Sequence, residues 1–201
     1  MPKSAEPAAN RPPALPSRLE IRFSGSGGQG IILAATVLAD AFVTTGKEVV
    51  QTQSYGPEAR GGASKAEVIV SESEIDYPEV SAPDITLCLS QPAFDKYAYE
   101  TKPGGLIIYD AQLVIPTPVP GVRLAGVPFA QLAEERLGKV VVANIVALGA
   151  LLKLTKITTP ESLREALRRR LPARLLDLNL QAFAVGMEVK VRAKVEAAVA
   201  S

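Results

Sequence analysis

The sequence contains no histidine and only one cysteine, Cys88, among 201 residues. Without histidine it lacks the side chain most often used for proton transfer near neutral pH. One thiol with no imidazole cannot hold an iron–sulfur cluster or a zinc ion from this chain alone. It also excludes an intramolecular disulfide, which fits a reducing compartment and gives a cytoplasmic expectation. Charge of either sign is scarce in excess: the net charge is +1, so no global field selects nucleic acid or an anionic membrane. Long apolar runs are missing too. The most apolar stretch, "VVANIVALGALL", is about a dozen residues, shorter than the roughly 20 needed to cross a bilayer, and reads as a buried helix. The opening "MPKSAEPAANRPPALPSR" is rich in Pro and Ala and lacks the apolar core of a signal peptide; residues 1–18 are expected to be a disordered tail.

What remains is a chain with 47% hydrophobic and 21% charged residues, enough for a real core. "RLEIRFSG" alternates apolar and polar residues and then meets glycine, as a strand entering a turn does. "GIILAATVLADAFVTTGK" carries Ile31, Ala34, Ala35, Leu38 and Phe42 at helical spacing and stops at Gly46. Further strands are read at "EVVQTQ", "KAEVIVS", "DITLCLS", "GLIIYD" and, more weakly, "RLAGVP". A helix at "QPAFDKYAYE", with Pro92 in its first turn, separates the fourth and fifth. No helix separates the second and third, which reads as a hairpin-like pair. The expected fold class is α/β: a Rossmann-like open sheet, mostly parallel with a mixed part, flanked by helices. Residues 19–201 are expected to form a single domain, helical from about 128 onward. The helices are read at "FAQLAEERLG", "VVANIVALGALLKL", "TPESLREALRRRL" capped by Thr159, and from Ala173 to near the end, with Leu176, Leu180, Phe183 and Met187 on one stripe.

Two stretches carry the functional reading. The first is the turn Gly25-Ser26-Gly27-Gly28-Gln29-Gly30, with the Gly-x-Gly-x-x-Gly spacing of a dinucleotide-binding turn, after a strand and before a helix. Gly25 would permit the tight turn, Gly27 close approach of a ligand or backbone, and Gly30 close packing of the helix on the sheet. The helix N-terminus would favour an anion. The alternative is a turn that only packs a helix. A nicotinamide dinucleotide also wants an acidic residue at the end of the second strand. That strand ends Gln51-Thr52-Gln53-Ser54; Glu48 is at its wrong end and Glu58 lies beyond it. The second stretch is Ser54-Tyr55-Gly56-Pro57-Glu58-Ala59-Arg60-Gly61-Gly62. Arg60 can clamp a carboxylate or phosphate; a plain Glu58–Arg60 pair in a solvated loop is the ordinary reading. Cys88 reads as a small core residue, Asn144 as a buried amide needing a partner, and "LREALRRR" as a solvated helix face.

Together, "RFSGSGGQGIILAATVLADA", "VVQTQSYGPEARGGASKAEVIVS", "IDYPEV" and "PDITLCLSQPAFDKY" resemble the gamma subunit of 2-oxoacid:ferredoxin oxidoreductases, nearest the 2-oxoglutarate branch. The likeness runs from about Leu19 to Tyr109 and continues more weakly at "ANIVALGALL" and "LNLQAFAVG". It implies a heteromeric enzyme that converts 2-oxoglutarate and coenzyme A to succinyl-CoA, CO2 and reduced ferredoxin. It implies that thiamine diphosphate with Mg2+ lies between alpha and beta chains, and that iron–sulfur clusters lie in the beta chain and, where present, a delta chain. This chain would then bind no cofactor and carry no catalytic residue of its own. Its loop Ser54, Tyr55, Gly56, Pro57, Glu58, Arg60, Gly61 and Gly62 would face a partner chain near the active site. Two other classes stay open: a stand-alone NAD(P)-binding oxidoreductase, and a nucleotide-binding regulatory module that takes the adenosine-phosphate end of coenzyme A.

Overall fold

A computed structural model describes residues 15–43, 45–54 and 62–191. Six strands among them form one sheet: β1 (Arg18–Ser26), β2 (Glu48–Ser54), β3 (Ala63–Ser71), β4 (Ile85–Cys88), β5 (Leu106–Asp110) and β6 (Arg123–Val127). Their order across the sheet is β2-β3-β1-β4-β5-β6. β1, β4, β5 and β6 run parallel, while β3 is antiparallel to both β1 and β2. The hairpin-like pairing expected for the second and third strands is thus present. The sequence did not reveal that β3 returns between β1 and β2.

The helices are α1 (Ile31–Val43), α2 (Gln91–Tyr97), α3 (Phe129–Leu137), α4 (Ala143–Thr155), α5 (Pro160–Arg170) and α6 (Ala173–Met187). Helices take over after β6, as composition suggests. Their ends follow local chemistry. Thr159 accepts the Ser162 N–H as an N-cap ahead of Pro160, and Gly138 closes α3 in the left-handed conformation at φ 64°. Helix α6 ends at Met187, short of the long helix read from the sequence, and residues 192–201 lie outside the described residues. Its most buried face is Asn179, Ala182, Phe183, Val185 and Gly186; Leu176, Leu180 and Met187 only border the core.

Two layers cover the sheet. One face carries Leu19, Ile21, Phe23, Ala66, Val68, Val70, Leu87 and Ile108, packed under α1 and α3–α6. The other carries Cys88 and Ile107 under Phe94 and Ala98 of the α2 segment. Helices α1 and α2 therefore leave opposite faces of the neighbouring strands β1 and β4. In an open α/β sheet that arrangement opens a crevice at the carboxyl ends of those two strands.

The apolar helix α4 is buried from Asn144 to Leu152. It crosses α6 where Gly149 and Gly186 meet: a Cβ on Gly149 would come within 2.9 Å of the Gly186 Cα. The arginine run of α5 is not simply a solvated face. Arg169 Nε and Arg170 reach the Asp40 carboxylate of α1, each at 2.9 Å, and fasten α5 to α1.

Cys88 is fully buried, and burial pushes its thiol up to about 12, against smaller opposing effects of the Ser24 hydroxyl and Arg22. A neutral, enclosed thiol is neither a nucleophile nor a ligand. Labelling of the native chain with iodoacetamide at pH 8 is expected to be at least a hundredfold slower than in denaturant. Comparable rates would show that Cys88 is accessible and titrates normally.

Candidate functional site

The rim at the carboxyl ends of the parallel strands gathers the first sequence motif. Gly25 and Ser26 still belong to β1, opposite Ser64 and Ala63 of β3. The turn proper is Ser26 to Gln29, closed by the Gln29 N–H donating to the Ser26 carbonyl at 3.2 Å. Gly28 (φ 89°) and Gly30 (φ 71°) need the left-handed backbone that glycine adopts without strain.

Gly25 and Gly30 act differently from the dinucleotide-turn expectation. Gly25 is not the tight-turn residue; a Cβ there would lie 2.6 Å from Gln29 Oε1, so Gly25 makes room for the Gln29 side chain. Gly27 has nothing within 4 Å of a built Cβ and faces open space. Gly30 makes room for Asn144 of α4 rather than for the sheet. Asn144 Nδ2 donates to the Gly30 carbonyl at 3.0 Å, which satisfies the buried amide and ties α4 to the start of α1.

Gln29 stands at one of the three positions that the spacing rule treats as arbitrary. Its Oε1 accepts the Ser26 N–H at 2.7 Å, and its Nε2 donates to the Leu89 carbonyl at 2.9 Å. One side chain thus bridges the ends of β1 and β4 and occupies part of the crevice itself. The antiparallel β3 also separates β2 from β1. With strands about 4.8 Å apart, an acid at the end of β2 would sit about 10 Å from β1, the wrong place for a ribose on the glycine turn. Sheet order and the absence of an acid argue together against a nicotinamide site.

Two clefts flank the turn. The first, about 270 Å3, is lined by Ser26, Gly27, Gly28, Gly30, Ile31, Ile32 and Ser64. It lies at the N-terminus of α1, where backbone N–H groups favour an anion. The second, about 140 Å3, lies on the other side of Gly28, with Gln29, Leu89, Asp110, Leu113, Val140 and Val141 among its walls. Asp110 is buried at the end of β5. Its carboxylate accepts the N–H groups of Gln112 at 2.9 Å, Leu113 at 3.3 Å and Ala130 at 3.0 Å. It shapes the loop after β5 and caps the start of α3. Sequence reading passed over Asp110; an acid ending an apolar strand ahead of a turn was the available signal.

The second motif is described only at its ends. Ser54 closes β2, exposed, and Gly62, buried, leads into β3. Tyr55, Gly56, Pro57, Glu58, Arg60 and Gly61 lie outside the described residues. Because Ala63 pairs with Ser26, the segment re-enters the sheet directly beside the glycine turn.

Sequence reading also missed Arg22, which lies fully buried on β1. Its Nε donates to Glu67 Oε1 at 2.6 Å, Nη2 to the Val80 carbonyl at 3.0 Å, and Nη1 to Glu100. Its guanidinium stands 5.4 Å from the Tyr97 ring. The alternation of "RLEIRF" places Arg22 on the face opposite to Ile21 and Phe23. The second layer of helix covers that face.

A family model described as pyruvate ferredoxin/flavodoxin oxidoreductase matches residues 20–189. The chain is 50% identical over 175 residues to the 2-oxoglutarate synthase subunit KorC of Methanocaldococcus jannaschii, a match covering 86% of this chain and 94% of that one. It superposes with a TM-score of 0.75 on the gamma subunit of a keto/oxoacid ferredoxin oxidoreductase from Geobacter sulfurreducens, at 43% identity, covering 85% of this chain and 96% of the other. It also matches part of the 2-oxoglutarate:ferredoxin oxidoreductase from Magnetococcus marinus, at 29% identity and a TM-score of 0.77. That match covers 86% of this chain but 31% of the longer polypeptide.

Proposed function

The chain belongs to the pyruvate ferredoxin/flavodoxin oxidoreductase family, and we propose that it is the gamma subunit of a 2-oxoglutarate:ferredoxin oxidoreductase. The observation that carries this reading is the 50% identity to the KorC subunit across nearly the full length of both chains. Members of the family work as parts of oxidoreductase complexes, and this chain is one such part. The reaction of the whole assembly would convert 2-oxoglutarate and coenzyme A to succinyl-CoA and CO2, with two electrons passed to ferredoxin.

This chain's own residues do not suit the redox groups of that reaction. Cys88 is its one thiol and is enclosed and neutral, and no group of three His, Cys, Asp or Glu among the described residues is placed to hold a metal. We therefore assign thiamine diphosphate with its Mg2+, and the iron–sulfur clusters, to alpha and beta chains and, where present, a delta chain. Thiamine diphosphate supplies the decarboxylation chemistry there. The role left to this chain is to present its strand-end rim to those partners. The cleft beside Gly27 at the α1 N-terminus suits a phosphate of coenzyme A held between chains.

Within this reading, the loop from Ser54 to Gly62 faces a partner chain. Arg60→Ala should lower turnover of the assembled complex, or its assembly, about tenfold, while the melting temperature of the isolated chain stays within about 2 °C. A variant complex that assembles and turns over like the native one would return Arg60 to a solvated loop. The reading as a whole is tested by tagging the chain in its native host: thiamine- and cluster-binding chains should co-purify in fixed ratio. Recovery of the chain by itself, with NAD(H) binding measurable by calorimetry, would replace it by the nucleotide-binding alternative.

A further inference from the structure

Eight large hydrophobic residues are exposed among the described residues, and they are not scattered evenly. Leu113, Val140 and Val141 line the cleft that also contains Gln29 and Asp110, and Ile115 follows two residues after Leu113. Their exposures are 47%, 50%, 74% and 83% in the order Leu113, Val140, Val141, Ile115. Half of the exposed large hydrophobics thus gather at one end of the sheet, and such clustering marks an interaction site where single residues would not.

The cleft asks for an apolar occupant. Its polar lining groups are already engaged: both ends of the Gln29 amide are bonded within the protein, and the Asp110 carboxylate accepts three backbone N–H groups. Beside Gly28, the remaining wall is formed by Leu89, Leu113, Ala130, Val140, Val141 and Ala143. A volume of about 140 Å3 matches a benzene-sized group; a closed cavity of about 150 Å3 in another protein takes benzene.

The identity of the occupant follows from the length difference among relatives. The Magnetococcus marinus polypeptide includes this domain as 31% of its length. Where the domain is a separate chain, the contacts that fusion would enforce must be made non-covalently. The cleft shares Gly28 with the neighbouring cleft that contains Ser64, so it continues the rim already assigned to partner contact. We infer that the slot between Leu89, Leu113, Val140 and Val141 is a socket for one aromatic or branched aliphatic side chain. That side chain comes from the subunit corresponding to the rest of the longer polypeptide. The loop after β5 and the turn before α4 form its lips. This inference rests on the gamma-subunit reading.

The test uses the chain co-expressed with the alpha and beta subunits of its own complex, one chain carrying an affinity tag. Val141→Asp and Ile115→Asp change exposed side chains and leave the fold intact, which thermal melting checks. Each is expected to reduce retention of the partner subunits at least tenfold. Val43→Asp serves as the control. Val43 is also exposed, but it ends α1, about 20 Å along the helix from the glycine turn, and should retain partners fully. If the rim variants hold their partners as firmly as the control does, the socket is overturned while the gamma-subunit reading stands. If the unmodified chain itself captures neither subunit, both fall.

Discussion

Replacing Arg22 by alanine is expected to destabilise the fold by about 3–5 kcal/mol, the usual cost of breaking a buried ion pair from one side. The substitution strips Glu67 of its 2.6 Å partner on a face nearly closed to water, leaving only Lys65 at 3.0 Å. It also frees the Val80 carbonyl and removes one of the two cations over Tyr97, leaving Lys96. Urea unfolding followed by circular dichroism measures the loss. A change below about 1.5 kcal/mol would mean that water reaches the pair and that the α2 layer is looser than described. Replacing Arg22 and Glu67 together by apolar residues of similar size should recover most of the stability, because no charge is then left unpaired.

Gly186→Ala has an expected sign opposite to the one helix propensity predicts. In an ordinary helix interior the change stabilises by about 1 kcal/mol. At this position a Cβ would run into the backbone of α4: the Val146 carbonyl, the Ala150 nitrogen at 2.8 Å and the Gly149 Cα at 2.8 Å. Backbone atoms cannot rotate away as a side chain can. The helices must separate, and overpacking of this kind costs about 1–3 kcal/mol, occasionally more. Set against the propensity gain of about 1 kcal/mol, a net destabilisation of up to about 2 kcal/mol is therefore expected, shared by Gly149→Ala at the same crossing. Stabilisation of either variant, read as a higher urea midpoint at unchanged slope, would contradict the α4–α6 geometry.

The elements themselves were legible because their signals are local. Alternation in "RLEIRF", the Pro92 and Thr159 helix starts and the Gly138 stop all act within a few residues. Sheet order was not, since the antiparallel return of β3 between β1 and β2 depends on pairing across the chain rather than on periodicity. The same holds for the glycine turn. Its spacing was visible, yet the uses of Gly25 and Gly30 depend on Gln29 and on Asn144, the latter more than a hundred residues away. Arg22 was passed over because alternation records which residues share a face, and says nothing of whether a second layer covers it. The slot beside Asp110 combines segments that follow four different strands, so no window of sequence contains it.

The central claim is that this chain takes part in 2-oxoglutarate oxidation only as one subunit among several. The most direct test measures coenzyme A-dependent reduction of ferredoxin by 2-oxoglutarate in three preparations: this chain alone, the partner subunits alone, and all of them together. The account predicts no turnover from the isolated chain and full turnover only from the complete set, with the partners alone at least tenfold slower. Turnover by the isolated chain, or partner subunits equally active without it, would contradict the account.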